Sequence, residues 1–232
     1  MDEFCKDDLI FDWYLKELGE IDCDNLNILS IGCGQGQREL LLADKFNINI
    51  TAIDNAPYTN ELNFVAKELG LSDKVKFTNM SGKKLSFGDE SFDIIISHAV
   101  VYCIDDEELN NFYSEKFRVL KNNGLVFMST GSNISIFSKI KIYLKKILKK
   151  NDKPCHHYKQ TGWQRDVKHV LRYLPVCAFV NKITYGGEEN DIPLFLKNKY
   201  FRFIIYILIF ISKNIYPILG NYSKIFIVKK IK

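Results

Sequence analysis

The stretch Ile28-Leu29-Ser30-Ile31-Gly32-Cys33-Gly34-Gln35-Gly36 constrains this chain more than any other: a short apolar run empties directly into three glycines at alternate positions. The apolar run reads as a buried parallel strand. Glycines at that spacing make a tight turn and let the backbone pass close beneath a ligand. The helix expected next, through Glu39-Leu40-Leu41-Leu42-Ala43, aims its open N-terminal amides at the same place. The outline is that of a nucleotide-binding loop.

On either side of this loop the chain alternates between helical and extended patterns. Asp7 to Leu18 repeats its apolar residues at helical spacing until Gly19, and Phe4, Trp13 and Tyr14 are candidates either to line a ligand or to fill a core. Asn47 to Ile53 predicts a second strand ending at Asp54, and Pro57 opens a helix to about Leu69. Further strands are expected at Val75 to Thr78, Ser91 to Ser97 and Gly124 to Thr130, with a helix over Asp105 to Lys121. Strands alternating with helices predict a parallel sheet covered on both faces.

Past Thr130 the pattern changes. Ile136, Phe137, Ile140, Tyr143, Leu144, Ile147 and Leu148 form one apolar stripe, with Lys139, Lys141, Lys145, Lys146, Lys149 and Lys150 on the other faces of a basic amphipathic helix. A helix over Thr161 to Leu174, a strand over Val176 to Tyr185, an apolar helical stretch over Pro193 to Tyr216 and a last strand over Lys224 to Ile231 complete the chain. The expected fold is α/β: a Rossmann-like, seven-stranded, mostly parallel sheet with helices on both faces and a helical acceptor cap. One domain is expected over residues 1–232, with a lid helix in 1–24, a cofactor-binding core in 25–130, a cap with strand six in 131–222 and the final strand in 223–232.

Charge is unevenly divided. Through residue 130 there are 12 Lys and Arg against 23 Asp and Glu, and beyond it 20 against 5. The basic half suits an anionic partner, unless the two halves simply neutralise each other across one fold. The six cysteines show no C-x-x-C pair, so neither a zinc site nor a disulfide framework is expected, and a reducing cytoplasm fits. The acidic Met1-Asp2-Glu3 opening does not resemble a secretory leader. Phe203 to Ile211 is an unbroken apolar run, but a membrane span needs about 20 residues. A buried helix is expected there, with contact at the inner face of a membrane as the competing reading.

Spacing separates two kinds of glycine loop. A dinucleotide fingerprint wants G-x-G-x-x-G, whereas here the third glycine falls one residue early, at Gly36. With Asp54 ending the second strand, the set resembles the class I S-adenosylmethionine-dependent methyltransferases. Leu29-Ser30-Ile31-Gly32-Cys33-Gly34-Gln35-Gly36 resembles their first motif except at Ser30, and Ile50-Thr51-Ala52-Ile53-Asp54-Asn55 the second. Leu85, Phe87 and Ser91-Phe92-Asp93 anchor a third stretch, and Arg118-Val119-Leu120-Lys121-Asn122-Asn123-Gly124 resembles the family's lead into strand five.

This resemblance implies S-adenosylmethionine as cofactor, released as S-adenosylhomocysteine. It implies cofactor contacts from Ser30, Gly32, Cys33, Gly34, Gly36, Asp54, Asn55, Ser81, Gly82, Ser97 and His98. A carboxylate suits the paired ribose hydroxyls because it is a two-oxygen acceptor. Ser30 and Ser81 stand where the family keeps carboxylates. Either a water or another residue replaces the first, which holds the methionine ammonium, or the turn binds its ligand weakly.

An oxygen acceptor also needs a base, and histidine has the suitable unperturbed pKa. His98, just past strand four, and His156 and His157, in the expected cap, are the catalytic candidates; His169 falls inside a helix and is read as structural. No metal site is expected. The acceptor expected is a polar or anionic small molecule, such as a nucleotide-linked sugar methylated on oxygen. The competing readings are a lipid-linked acceptor met at a membrane surface and a non-catalytic cofactor-binding protein. Nucleic acid is not expected, since the basic residues lack interleaved aromatics.

Overall fold

The computed structural model describes residues 9–57, 59–98, 100–129, 172–187 and 222–231. In chain order the elements are α1 (Leu9–Gly19), β1 (Asn27–Ile31), α2 (Gln37–Lys45), β2 (Asn49–Asp54), α3 (Thr59–Glu68), β3 (Val75–Asn79), β4 (Phe92–Ser97), α4 (Asp106–Val119), β5 (Leu120–Ser129), β6 (Ala178–Gly187) and β7 (Tyr222–Lys230). A single 3-10 turn, Val101–Cys103, precedes α4.

The seven strands form one sheet in the order β3-β2-β1-β4-β5-β7-β6. Neighbours from β3 to β5 are parallel, and β7 runs antiparallel to both β5 and β6. The sequence expectation of a mostly parallel, seven-stranded sheet is therefore met. The strand order reverses between β1 and β4, and in open parallel sheets the crevice outside such a reversal is where ligands sit.

Alternation along the strands divides the core into two layers. Ile28 of β1, Ile50 and Ala52 of β2, Ile94 and Ile96 of β4 and Phe127 of β5 pack with α1, α2 and α3. Leu29, Ile31, Ile53, Ile95, Val126 and Met128 pack on the opposite face with α4. Trp13 and Tyr14 belong to the first layer, edge-on to one another and close to Phe127, so they take the core reading rather than the ligand-lining one. Phe4 lies outside the described residues.

The largest boundary difference from the sequence expectation lies between α4 and β5, the other element ends shifting by about two residues or fewer. The periodicity predicts helix to Lys121 and strand from Gly124, but α4 ends at Val119 and β5 begins at once with Leu120. Leu120 pairs with Phe92 before the register shifts, and pairing resumes at Leu125 with Ile94. The intervening Lys121-Asn122-Asn123-Gly124 is a bulge in which Asn123 takes a left-handed φ of 64°. A Cβ on Gly124 would stand 2.8 Å from the Asp93 carbonyl oxygen, which is why glycine ends the bulge.

Candidate functional site

The glycine loop joins β1 to α2. All three glycines are left-handed: Gly32 at φ 75°, Gly34 at 54° and Gly36 at 70°. The loop begins where the Gly32 and Cys33 amides donate to the Ile53 carbonyl at 2.8 and 3.2 Å, tying it to the end of β2. A Cβ on Gly32 would meet Val100 Cγ2 at 2.4 Å, and one on Gly36 the Phe77 ring at 2.6 Å. Around Gly34 there is open space, so its glycine is required by backbone conformation rather than by crowding. Gly36 caps α2 without a side chain, leaving the helix entrance uncovered by any side-chain cap.

Asp54 ends β2 and fixes this loop from the side. Its Oδ2 accepts the Gly34 amide at 2.8 Å and its Oδ1 the Ala56 amide at 2.9 Å. Each oxygen retains a second lone-pair direction, so the carboxylate both shapes the loop and can accept from a ligand. Asn55 follows it in an exposed bend.

Ser81 and Gly82 follow β3, and the Met80 amide donates to the Asp54 carbonyl at 3.1 Å. A Cβ on Gly82 would meet Ile31 Cγ2 at 2.6 Å, so this segment lies directly against the end of β1. The Ser81 hydroxyl accepts the Lys83 amide at 3.3 Å, a local turn rather than a contact across the site.

What steadies this segment is α4. Arg118 donates to the carbonyls of Phe87 and Leu85, both at 2.9 Å, and to both carboxylate oxygens of Glu115. Glu115 Oε2 in turn accepts the Leu85 amide at 2.8 Å, Asn111 donates to the Lys83 carbonyl, and Lys83 pairs with Glu108. The planar guanidinium is suited to such a fork of acceptors. The arginine of the R-V-L-K stretch is thus a clamp on residues 85–89, with Asn111 and Glu108 holding Lys83.

Ser97 and His98 leave the C-terminal end of β4. Ser97 is fully buried, and its hydroxyl makes no hydrogen bond among the described residues. His98 is partly exposed, with Nδ1 2.7 Å from the Ser129 hydroxyl at the end of β5. Two residues on, Val100 fills the space over Gly32, so the segment carrying His98 abuts the glycine loop. Cys33 sits inside the loop with its thiol pushed well above the usual range by burial, then by the charges of Glu39 and Asp54. It is held as a thiol rather than a nucleophilic thiolate.

The departure at Ser30 has a structural counterpart. Ser30 is buried, and its hydroxyl donates to Glu39 Oε1 at 2.6 Å. Glu39 is the third residue of α2, 6% exposed, and its Oε2 accepts no hydrogen bond among the described residues. Burial drives its carboxyl above the ordinary range, opposed by the Ser30 hydrogen bond. Sequence reasoning passes over Glu39 as the first member of an apolar helical run. The signal is an acid opening that run three residues after the last glycine, on the side of α2 that faces β1.

The structure thus brings Ser30, Gly32, Cys33, Gly34, Gly36, Asp54, Gly82, Ser97 and His98 together around the ends of β1, β2 and β4. His156, His157, His169, the residues 136–150 expected to be a basic helix and the 203–211 run lie outside the described residues. Among the described residues no group of three or more His, Cys, Asp or Glu is placed to hold a metal ion, and no helix is long and apolar enough to cross a membrane.

Residues 29–128 match the family model described as a methyltransferase domain. An uncharacterised protein of Haemophilus influenzae is 33% identical over 118 residues, 50% of this chain and 45% of that protein. The sterol 24-C-methyltransferase of Gibberella zeae is 34% identical over 104 residues, 44% of this chain and 26% of the enzyme. The chain therefore spans less than half the length of these relatives. A solved S-adenosylmethionine-dependent methyltransferase from Methanosarcina mazei shares the fold, at a TM-score of 0.63 and 20% identity, covering 93% of this chain and 97% of its own. The left-handed glycine loop, the acid ending β2 and the uncovered α2 entrance are a donor and acceptor set that fits S-adenosylmethionine, and residues 29–128 are similar to the methyltransferase domain family.

Proposed function

We propose that the chain methylates a hydroxyl of a polar, anionic small molecule, such as a nucleotide-linked sugar, with His98 as the base. The observation that carries this reading is the His98–Ser129 pair at the ends of β4 and β5, in a segment pressed against the glycine loop. The basic excess beyond residue 130 supports the anionic acceptor.

When bound, S-adenosylmethionine supplies an electrophilic methyl on a sulfonium that leaves as a neutral thioether. Gly32 to Gly36 would offer backbone in close approach to it, Asp54 would accept from its ribose hydroxyls, and Gly82 would offer its amide to its adenine. His98, oriented through Nδ1 by Ser129, would take the proton of the acceptor's hydroxyl. His156 and His157 are the other candidates for that proton. Much of the acceleration in such a displacement comes from alignment, so the base accounts for only about 10²–10⁴-fold.

Calorimetry with S-adenosylmethionine and S-adenosylhomocysteine is the first test, followed by turnover on sugars, sugar nucleotides and lipid-linked sugars. Submicromolar to micromolar binding and turnover of an anionic sugar, lost in His98→Ala with cofactor affinity kept, is the expected result. Failure of both ligands to bind removes the enzyme reading. Binding without turnover on any acceptor would make the chain a cofactor-binding protein, and turnover restricted to lipid-linked sugars would move the site to a membrane surface.

A further inference from the structure

A carboxyl that is buried with one oxygen unsatisfied costs free energy, and more when it is charged than when it is neutral. Glu39 is such a group. It is held in one orientation by the Ser30 hydroxyl at Oε1, while Oε2 accepts nothing from the described residues. Its position is not arbitrary. Ser30 lies two residues before Gly32, and Glu39 lies three after Gly36, so the carboxyl stands beneath the glycine loop and its charge is felt by Cys33 within the loop. Asp54 bounds the same loop on the other side.

The nearby charges that act on Glu39 are Arg38, beside it in sequence, and Asp54, which opposes its ionisation. The first turn of α2 favours an anion there through the helix dipole. A buried acid with one oxygen lacking a hydrogen bond, within electrostatic reach of a second acid, is suited to a compact cationic donor arriving with the ligand. S-adenosylmethionine carries one such group, its α-ammonium, whereas its sulfonium has no hydrogen to donate.

We propose that Glu39, oriented by Ser30, is the anionic anchor of the cofactor's α-ammonium group. The carboxylate that the resemblance leads one to expect on β1 is then supplied from α2, with the β1 position reduced to a hydroxyl that aims it. This inference rests on the reading of the glycine loop as an S-adenosylmethionine site, and it adds the group that discriminates ligands bearing the amino group from those lacking it.

The test compares two ligands on the full chain: S-adenosylhomocysteine and its analogue without the α-amino group, each measured by calorimetry, with thermal melting of the ligand-free protein. Glu39→Gln is expected to lower affinity for S-adenosylhomocysteine by about tenfold or more while leaving the deamino analogue within about twofold, with no loss of melting temperature. Ser30→Ala, which removes only the orienting hydroxyl, is expected to show the same selective loss at about threefold, and it serves if Glu39→Gln does not fold. Equal weakening of both ligands in either folded variant overturns the proposal, because it marks Glu39 as a support of the loop. Unchanged affinity for both ligands overturns it as well. Failure of the wild-type chain to bind S-adenosylhomocysteine would instead remove the underlying cofactor reading, and this proposal with it.

Discussion

The two faces of the sheet each bury an ionisable group in a setting that does not satisfy it, and the two are resolved differently. Glu39 lies on the face shared by α1, α2 and α3, beneath the glycine loop. Lys116 lies on the other face, in α4, fully buried with Nζ making no hydrogen bond among the described residues. Its ammonium position is 4.1 Å from the Phe112 ring centroid and 5.1 Å from that of Tyr113. Burial lowers its pKa to about 7. The lysine is enclosed by its own helix's aromatic rings and escapes its cost by losing a proton, whereas the acid sits at the site where a ligand brings a partner. Burial alone therefore does not mark a functional group; its position relative to the loop does.

Replacing Lys116 should erase this contrast most visibly. The unfolded chain keeps this lysine protonated up to about 10.5, while the folded chain releases the proton above about 7. Between those values the unfolded state binds more protons, so stability rises with pH by up to about 1.4 kcal/mol per unit. Below pH 7 the whole penalty is present. Lys116→Met is expected to raise the unfolding free energy at pH 6 by several kcal/mol and to abolish that slope, as read by urea titration from pH 6 to 10, with cofactor affinity unchanged.

Asp54→Ala should do the reverse. It removes the acceptor of the Gly34 and Ala56 amides, and at about 1–3 kcal/mol for each charged bond it should weaken cofactor binding by roughly a hundredfold or more. Calorimetry checks it, and an affinity within threefold of wild type would remove Asp54 from the site.

A smaller effect is expected at Glu39, with the opposite sign to Lys116. Its pKa is raised in the fold, so the ligand-free folded chain holds the proton longer than the unfolded one, and stability falls as pH rises through the interval above the ordinary carboxylate pKa. The charge of Arg38 tempers this and that of Asp54 reinforces it. Glu39→Gln should flatten that acid-side slope in the ligand-free protein and leave the alkaline slope of Lys116 intact, which urea titration from pH 4 to 10 resolves.

The smallest change should come from Arg118→Lys, which keeps the charge but not the fork. Amide exchange in residues 83–89 is expected to quicken severalfold with little change elsewhere. Unchanged exchange there would show that Asn111 and Glu115 hold the segment without it.

Much of this site is legible in the amino-acid sequence. The alternate glycines, the strand before them and an acid ending the next strand are local signals, and each corresponds to a local physical need: left-handed φ, a buried parallel strand and an acceptor for loop amides. The β5 start is not legible, because the bulge at 121–124 depends on pairing with β4 across the sheet. Glu39 is not legible either. Its role depends on a hydroxyl nine residues earlier on another element, and in the sequence it is only one polar letter before an apolar run.

Local sequence dictates the alternation of strands and helices, the turn that glycine alone can make and the acid that closes it, because these follow from backbone sterics and side-chain period within a few residues. Which side of the sheet each buried charge occupies is settled by long-range packing alone. That packing places Glu39 against Ser30 beneath the loop and Lys116 among rings, and so selects which of the two faces the ligand crevice. The selection depends on helices meeting strands distant in the chain, and it turns on the cost of desolvation, which a side chain meets only once its neighbours have closed around it.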